Sequence, residues 1–489
     1  MSSPAAPRRL PLPVLVGVAV VVVSACLLYY DQGPVDDAWI TYRYARNLAE
    51  GAGFAFNPGH GQEQGSSTPL FTLLLASAHA LGLDIPRTAL VLSALSLCGI
   101  AVIILAAFHR RGALVGGVFA VALLLAQRDF VHVVVGGMET AFYVVLVLGA
   151  FELWARERRG LAFGVAALCV LTRLDGLAVP AALVAYALVA ERRVPWRGVA
   201  LPAAALALWL GAAWLLFGDP LPASWLAKRS HTGARLITWH FAHQWIASSP
   251  SHAALAALGA PLALTRPRDP FVLTTLLFAC AYLVAFSLAG VEVYAWYLAP
   301  LQAAGAVLAG HGFARVWASL ARGRPRPALG FVALLAVAVA AHATLALTGL
   351  AERPRCRVED ARRHAARAAA ASLPHDATVF AGAVGMIGWF HRGRVRDVMG
   401  LTDPELRRLG AEVAPAPRDG LAYYRAVLPS VVARLEPELV FTDTAIDGRP
   451  EALEGYTSVV RVPYRCVDHG APRRGAFTLL RRVRAEVTP

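Results

Sequence analysis

Lysine is almost missing from this chain: of its 46 basic residues only Lys228 is a lysine, and all the others are arginine. Charge of either sign is scarce, at 16% of residues against 57% hydrophobic, and the mean hydropathy is +0.53. So little charge over 489 residues excludes an ordinary soluble protein and leaves an integral membrane one. The six cysteines contain no CxxC spacing, which argues against a zinc or redox centre built on thiolates. The glycine run Gly382 to Gly388 lacks GxGxxG spacing, so it does not read as a dinucleotide site. No module interleaves basic and aromatic residues, so the net charge of +14 does not point to nucleic acid.

What is present is a series of apolar runs. A bilayer core of roughly 30 Å needs about 20 apolar residues to cross it. About eleven spans are expected, near 12–30, 86–108, 113–127, 139–154, 160–174, 177–190, 199–217, 252–265, 270–289, 294–313 and 328–349. Arg8-Arg9, Arg110-Arg111, Arg156 with Arg158-Arg159, Arg192-Arg193, Arg266 with Arg268, and Arg315 onward fall in alternate loops, which places those loops and the N-terminus in the cytoplasm. The expectation is an all-α polytopic bundle over 1–349 and a small extracytoplasmic α/β domain over 350–489, in the inner (plasma) membrane. Val23-Ser24-Ala25-Cys26 resembles a lipoprotein signal, but the apolar run continues past Cys26 and favours an uncleaved span. Cys356 and Cys466 are the only cysteines in the expected external domain, and a disulfide between them suits an oxidising compartment.

The external loops hold most of the acids that flank the membrane. In the first, 31–68, the adjacent carboxylates Asp36 and Asp37 repel each other at a membrane surface, which raises the pKa of one and suits it to taking a proton from a hydroxyl. The bland reading is a helix start, with Asp36 capping backbone amides. Residues 70–83 are too short to span and read as an interfacial helix, so the catalytic loop is taken as 31–83. Glu139 stands at a span mouth, and Arg173 with Asp175 marks the next external turn, where charges near hydrocarbon pair with each other or with substrate. Lys228 beside Arg229 suits a phosphate of a lipid-linked donor. His231, His240 and His243 follow, as ion ligands, proton carriers or interfacial residues. Glu292 to Pro300 reads as an aromatic interfacial belt.

These segments in order carry a resemblance. The stretch Asp36-Asp37, Tyr42-Arg43-Tyr44, Asn47-Leu48, Asn57-Pro58, Gly65 and Pro69-Leu70 is similar to the first external loop of actinobacterial terminal arabinofuranosyltransferases, membrane glycosyltransferases of the GT-C type. The similarity continues in Gly137-Met138-Glu139-Thr140, Thr172 to Gly176, Gly218 to Pro222 with Lys228, and Gly400 to Pro404. The resemblance implies transfer of a sugar, arabinofuranose among the candidates, from a polyprenyl phosphate to a hydroxyl of an envelope glycan, lipid or protein, with inversion. Asp36 or Asp37 would be the general base. Lys228, Arg229, Arg173 and Arg43 would serve the donor phosphate, and Glu63, Glu139, Asp175, Tyr42 and Trp39 the sugar or acceptor. Oxygen-rich sites accept magnesium or manganese, so a divalent ion stays open, with no cofactor certain. The competing class is a multi-pass transporter or lipid-linked sugar flippase; nearer alternatives are a protein O-mannosyltransferase and a lipid A-modifying transferase.

Overall fold

The computed structural model describes residues 17, 20, 33–231, 239–265, 268–321, 358–414, 420–443, 453, 455–468 and 471–483. The spans expected at 12–30 and 328–349, Cys26, Cys356 and the side chain of Cys466 lie outside the described residues, and with them the expected disulfide.

Every expected apolar run between 86 and 313 is helical. Among the described residues, four helical stretches are long and apolar enough to cross a membrane: Ile85–Arg110, Leu174–Glu191, Trp196–Phe217 and Pro270–Ala289. A fifth is formed if Leu114–Leu125 and Arg128–Val135, bent by 77°, act as one broken span. Thr140–Ala155 and Arg159–Thr172 are apolar but shorter. The chain is thus a mostly helical, multi-pass membrane protein. The segment around Lys228, read from the sequence as a loop, forms the helix Ala223–Ser230, and His240 and His243, at helical spacing, lie on the helix His240–Ser248. Prolines at the first turns of Pro69–Ala80, Ile85–Arg110 and Pro270–Ala289 start helices where their missing N–H costs nothing, and Asp84 and Asp269 cap the latter two.

The arginine-bearing loops gather at one end of the bundle. Arg110 and Arg156 both pair with Glu152, Arg111 pairs with Asp269, and Arg159 pairs with Glu191 at 2.9 Å. That end is therefore not purely basic: Glu152, Glu191 and Asp269 there are each paired with arginines. At the opposite end, the 33–70, 218–231 and 290–297 segments meet the C-terminal region, and 136–139 and 173–177 line a cavity there together with Leu401.

That region has one mixed five-stranded sheet, with β1 (Val379–Ala381), β2 (Val395–Asp397), β3 (Leu439–Asp443), β4 (Tyr456–Asp468) and β5 (Ala471–Arg482) in the order β2-β1-β3-β5-β4. β1 is parallel to β2 and β3, while β5 runs antiparallel to β3 and β4. One apolar cluster joins Trp39, Tyr42, Tyr44, Phe54 and Phe71 of the first loop to Ala365, Val379, Ile387, Leu439 and Phe477. The first loop and the C-terminal sheet therefore share a core, and neither face is left to float. Arg43 fastens this joint. It is 1% exposed and donates to Phe56 O at 2.6 Å, Gly393 O at 2.8 Å, Asn57 Oδ1 at 3.1 Å, His391 O at 3.2 Å and Gly388 O. A guanidinium so deeply buried is tolerable only with its donors satisfied.

Candidate active site

The helix Asp36–Ala49 begins with the two carboxylates, and the fold separates their roles. Asp36 does not cap its own helix. Its carboxylate accepts from the Gly385 N–H at 3.1 Å and the Met386 N–H at 2.9 Å, at the start of the helix Val384–Phe390. Its backbone N–H donates to Glu359 Oε2 at 3.1 Å. A Cβ at Gly385 would collide with the Asp36 carbonyl, so this approach requires glycine. The Asp37 carboxylate makes no hydrogen bond among the described residues and faces two cavities. Burial pushes its carboxyl above the ordinary 3.8, with Asp36 adding to the rise and Lys228 opposing it.

The first cavity, about 260 Å³, is lined by Asp37, the loop Gly65–Thr68, Glu139, Arg173, Lys228 and apolar side chains such as Phe286 and Trp296. Arg173 bridges its acids, donating to Glu139 at 3.1 Å and to Asp175 at 2.9 Å, with the rings of Tyr143 and Tyr297 at 5.3 and 5.0 Å. Tyr282 donates to Asp175 at 2.7 Å. The second cavity, about 390 Å³, is lined by Asp36, Asp37, Lys228, Glu292, Arg362, Tyr424, Asp443 and Phe477, among others. Asp37, Lys228 and Leu401 line both.

Lys228 is 8% exposed and donates to the Tyr297 hydroxyl at 3.0 Å; the rings of Tyr294, Trp296 and Tyr297 stand 5.1, 5.6 and 5.3 Å from its ammonium. The residues read from sequence as an interfacial belt thus form a cage around the lysine. Burial alone would lower its pKa, but Tyr297 and Asp37 outweigh it, so the ammonium stays charged.

Of the residues singled out in the sequence, Asp36, Asp37, Glu139, Arg173, Asp175 and Lys228 come together here. Others do not reach either cavity. Arg43 is spent on carbonyls, Tyr42 donates to Gly137 O at 2.8 Å, and Trp39 donates to Pro34 O at 3.3 Å. Glu63 pairs with Arg407 at 2.7 Å, and Arg229 stacks on Trp225 at 5.0 Å. His231 lies 3.4 Å from Glu292 and within 3.0 Å of Met399 O, locking the wall of the second cavity. No group of three or more His, Cys, Asp or Glu among the described residues is placed to hold a metal ion, Glu139 and Glu63 each being paired with an arginine. Sequence reading missed Glu292, Glu359, Arg362 and Asp443. Thr442-Asp443 at the end of an apolar strand was the available signal for the last of these.

The fold has solved counterparts. The crystal structure of ArnT from Cupriavidus metallidurans bound to undecaprenyl phosphate superposes with a TM-score of 0.58 at 16% identity, covering 96% of this chain and 97% of that one. The apo ArnT structure gives 0.55, at the same identity and coverage. This chain shares the fold of ArnT. A family described as Domain of unknown function (DUF8728) matches residues 353–479, the region of the sheet and its helices. No curated protein sequence matches this chain.

Proposed function

We propose that this protein is a polyprenyl-phosphate-dependent glycosyltransferase in which Asp37 is the general base, and that the two cavities hold donor and acceptor on either side of it. The carrying observation is that a carboxylate with no hydrogen-bond partner and a caged ammonium are shared by both cavities. The ArnT counterpart with undecaprenyl phosphate supports a polyprenyl phosphate as the lipid partner. The first cavity, with its apolar wall of Phe286, Ala289 and Trp296, suits the lipid-linked donor.

The acceptor hydroxyl oxygen forms a bond to the anomeric carbon of the donor sugar as its proton passes to Asp37. The bond from that carbon to phosphate oxygen breaks, and its electron pair leaves with the polyprenyl phosphate. Lys228 stabilises the negative charge that gathers there. Attack from the second cavity on a donor seated in the first is attack from opposite faces, which gives inversion. Asp36, with both oxygens occupied by amides, positions its neighbour. Arabinofuranose remains the sugar that the sequence resemblance favours, and the site end of the bundle is assigned to the outer face of the inner membrane.

The test incubates purified protein with polyprenyl-phosphate arabinofuranose, mannose and 4-amino-arabinose in turn, with a mixed envelope-glycan extract, and follows transfer by mass spectrometry. Transfer from one donor, reduced about 10²–10⁴-fold in Asp37→Asn, is expected. Transfer undiminished in Asp37→Asn would overturn the assignment of the base.

A further inference from the structure

The second cavity lies against the C-terminal sheet at a particular place. β1 has β2 on one side and β3 on the other, so successive connections leave it in opposite directions, and the point between β1 and β3 is a switch in the winding. In open parallel sheets, ligands bind outside the carboxyl ends of strands at such a switch point. Gly382 and Ala383, just past the end of β1, and Thr442 and Asp443, at the end of β3, all line the cavity. Thr442 is 3% exposed and its hydroxyl has no hydrogen-bond partner. The cavity is thus part membrane module and part C-terminal region, and its walls are incomplete without the latter.

Its charge is lopsided. Four carboxylates line it, Asp36, Asp37, Glu292 and Asp443, against two cations, Lys228 and Arg362. Arg362 pairs with Glu359 at 2.7 Å and lies 5.1 Å from the Phe477 ring, and Lys228 is shared with the first cavity, where it serves the donor phosphate. Aromatic faces from Phe441, Phe477 and Tyr424 complete the lining. Carboxylates accept hydrogen bonds from hydroxyls and repel anions, and rings pack against the C–H faces of sugars. A base is also needed only where the nucleophile is a neutral hydroxyl, since a phosphate oxygen already carries its charge.

We infer that the C-terminal region, residues 358–483, is the acceptor-reading part of the enzyme, and that the cavity at the β1–β3 switch point takes an uncharged hydroxyl-bearing glycan and rejects one that carries a phosphate near its reacting end. This rests on the reading of that cavity as the acceptor site. Asp443 and Glu292 set the selection.

The test needs no donor. The full chain in nanodiscs of zwitterionic lipid is titrated with a neutral trisaccharide methyl glycoside and with the same glycoside bearing a terminal 6-phosphate, followed by saturation-transfer NMR. The neutral ligand is expected to bind at least about tenfold more tightly, with the gap narrowed severalfold in Asp443→Asn and in Glu292→Gln, two variants whose folding is checked by circular dichroism. Equal or tighter binding of the phosphate, a gap unchanged in both folded variants, or no binding of either ligand overturns the inference. If the preference holds while no polyprenyl donor supports transfer, the proposed reaction fails and the binding site stands.

Discussion

The two cavities meet at the same carboxylate and lysine, yet they treat charge differently. In the first, the acids are paid down locally: Glu139 and Asp175 share Arg173, leaving Asp37 and Lys228 as an opposed pair. In the second, four carboxylates face two cations and take hydrogen bonds from amides and tyrosine hydroxyls, with His231 also 3.4 Å from Glu292. Asp36 takes two amides, Glu292 takes the Gly420 N–H at 2.9 Å and the Tyr294 hydroxyl at 2.7 Å, and Asp443 takes the Tyr464 hydroxyl at 2.8 Å. The first cavity sets two cations against three carboxylates, and Lys228, hydrogen-bonded to a tyrosine rather than to an acid, is the cation placed to meet a phosphate, whereas the second sets two cations against four carboxylates and suits a hydroxyl. The boundary between the two environments runs through Asp37.

Breaking the boundary from the donor side gives the larger effect expected here. Lys228→Met keeps the stem packed among Tyr294, Trp296 and Tyr297 but removes the ammonium, and transfer should fall about 10²-fold. Initial rates at varied donor and varied acceptor check it: the loss should appear at saturating donor, with binding of the neutral acceptor little changed. An equal loss of acceptor binding would mean that the lysine serves the second cavity.

Asp36→Ala sharpens the same boundary from the other side. It leaves the Gly385 and Met386 amides buried without an acceptor, and each orphaned donor costs about 1–3 kcal/mol. The variant should unfold several degrees lower in a thermal melt of the full chain. Asp36→Asn retains one acceptor oxygen and should recover part of the loss. A melt unchanged in Asp36→Ala would remove Asp36 as the staple between the first loop and the C-terminal region.

Much of the first cavity was legible in the sequence because its charged residues stand in short loops between apolar runs, where hydrophobicity makes any charge conspicuous. Asp37, Glu139, Arg173, Asp175 and Lys228 were found that way. The strands of the C-terminal region have a sequence signal too, short runs of β-branched and aromatic residues at Val379–Ala381, Leu439–Asp443 and from Tyr456. What stayed hidden depends on contacts across the chain. The resemblance implied Arg43 as a phosphate ligand, but three of its hydrogen bonds go to carbonyls 345–350 positions away and the others to Phe56 and Asn57. The belt at Tyr294 to Tyr297 became a cage only because the helix Ala223–Ser230, itself read as loop, carries Lys228 against it. Arg362 sits on an Ala- and Arg-rich helix with nothing local to distinguish it from Arg363, and only the docking of that helix onto Asp36 selects it.

The smallest effect concerns the wall between the cavities. Leu401 lines both, and the turn that carries it is tied down by Asp397, whose carboxylate accepts from the Met399 and Thr402 amides, each at 2.9 Å. Burial pushes Asp397 up to about 7; the two amides oppose the rise, and Asp403 adds to it. Because the folded pKa lies above the unfolded 3.8, the native state holds this proton more tightly than the unfolded chain does. The stability this contributes is complete below the unfolded value and is lost as pH rises through about 7. The full chain should therefore melt at a lower temperature at pH 8.5 than at pH 5.5, the range over which this carboxyl gives up its proton. Asp397→Asn keeps an acceptor for the amides but cannot ionise, so its melting curve should lose that part of the pH dependence. An Asn variant with the same pH dependence as the parent would place the titrating group elsewhere, and the wall would then be held by packing alone.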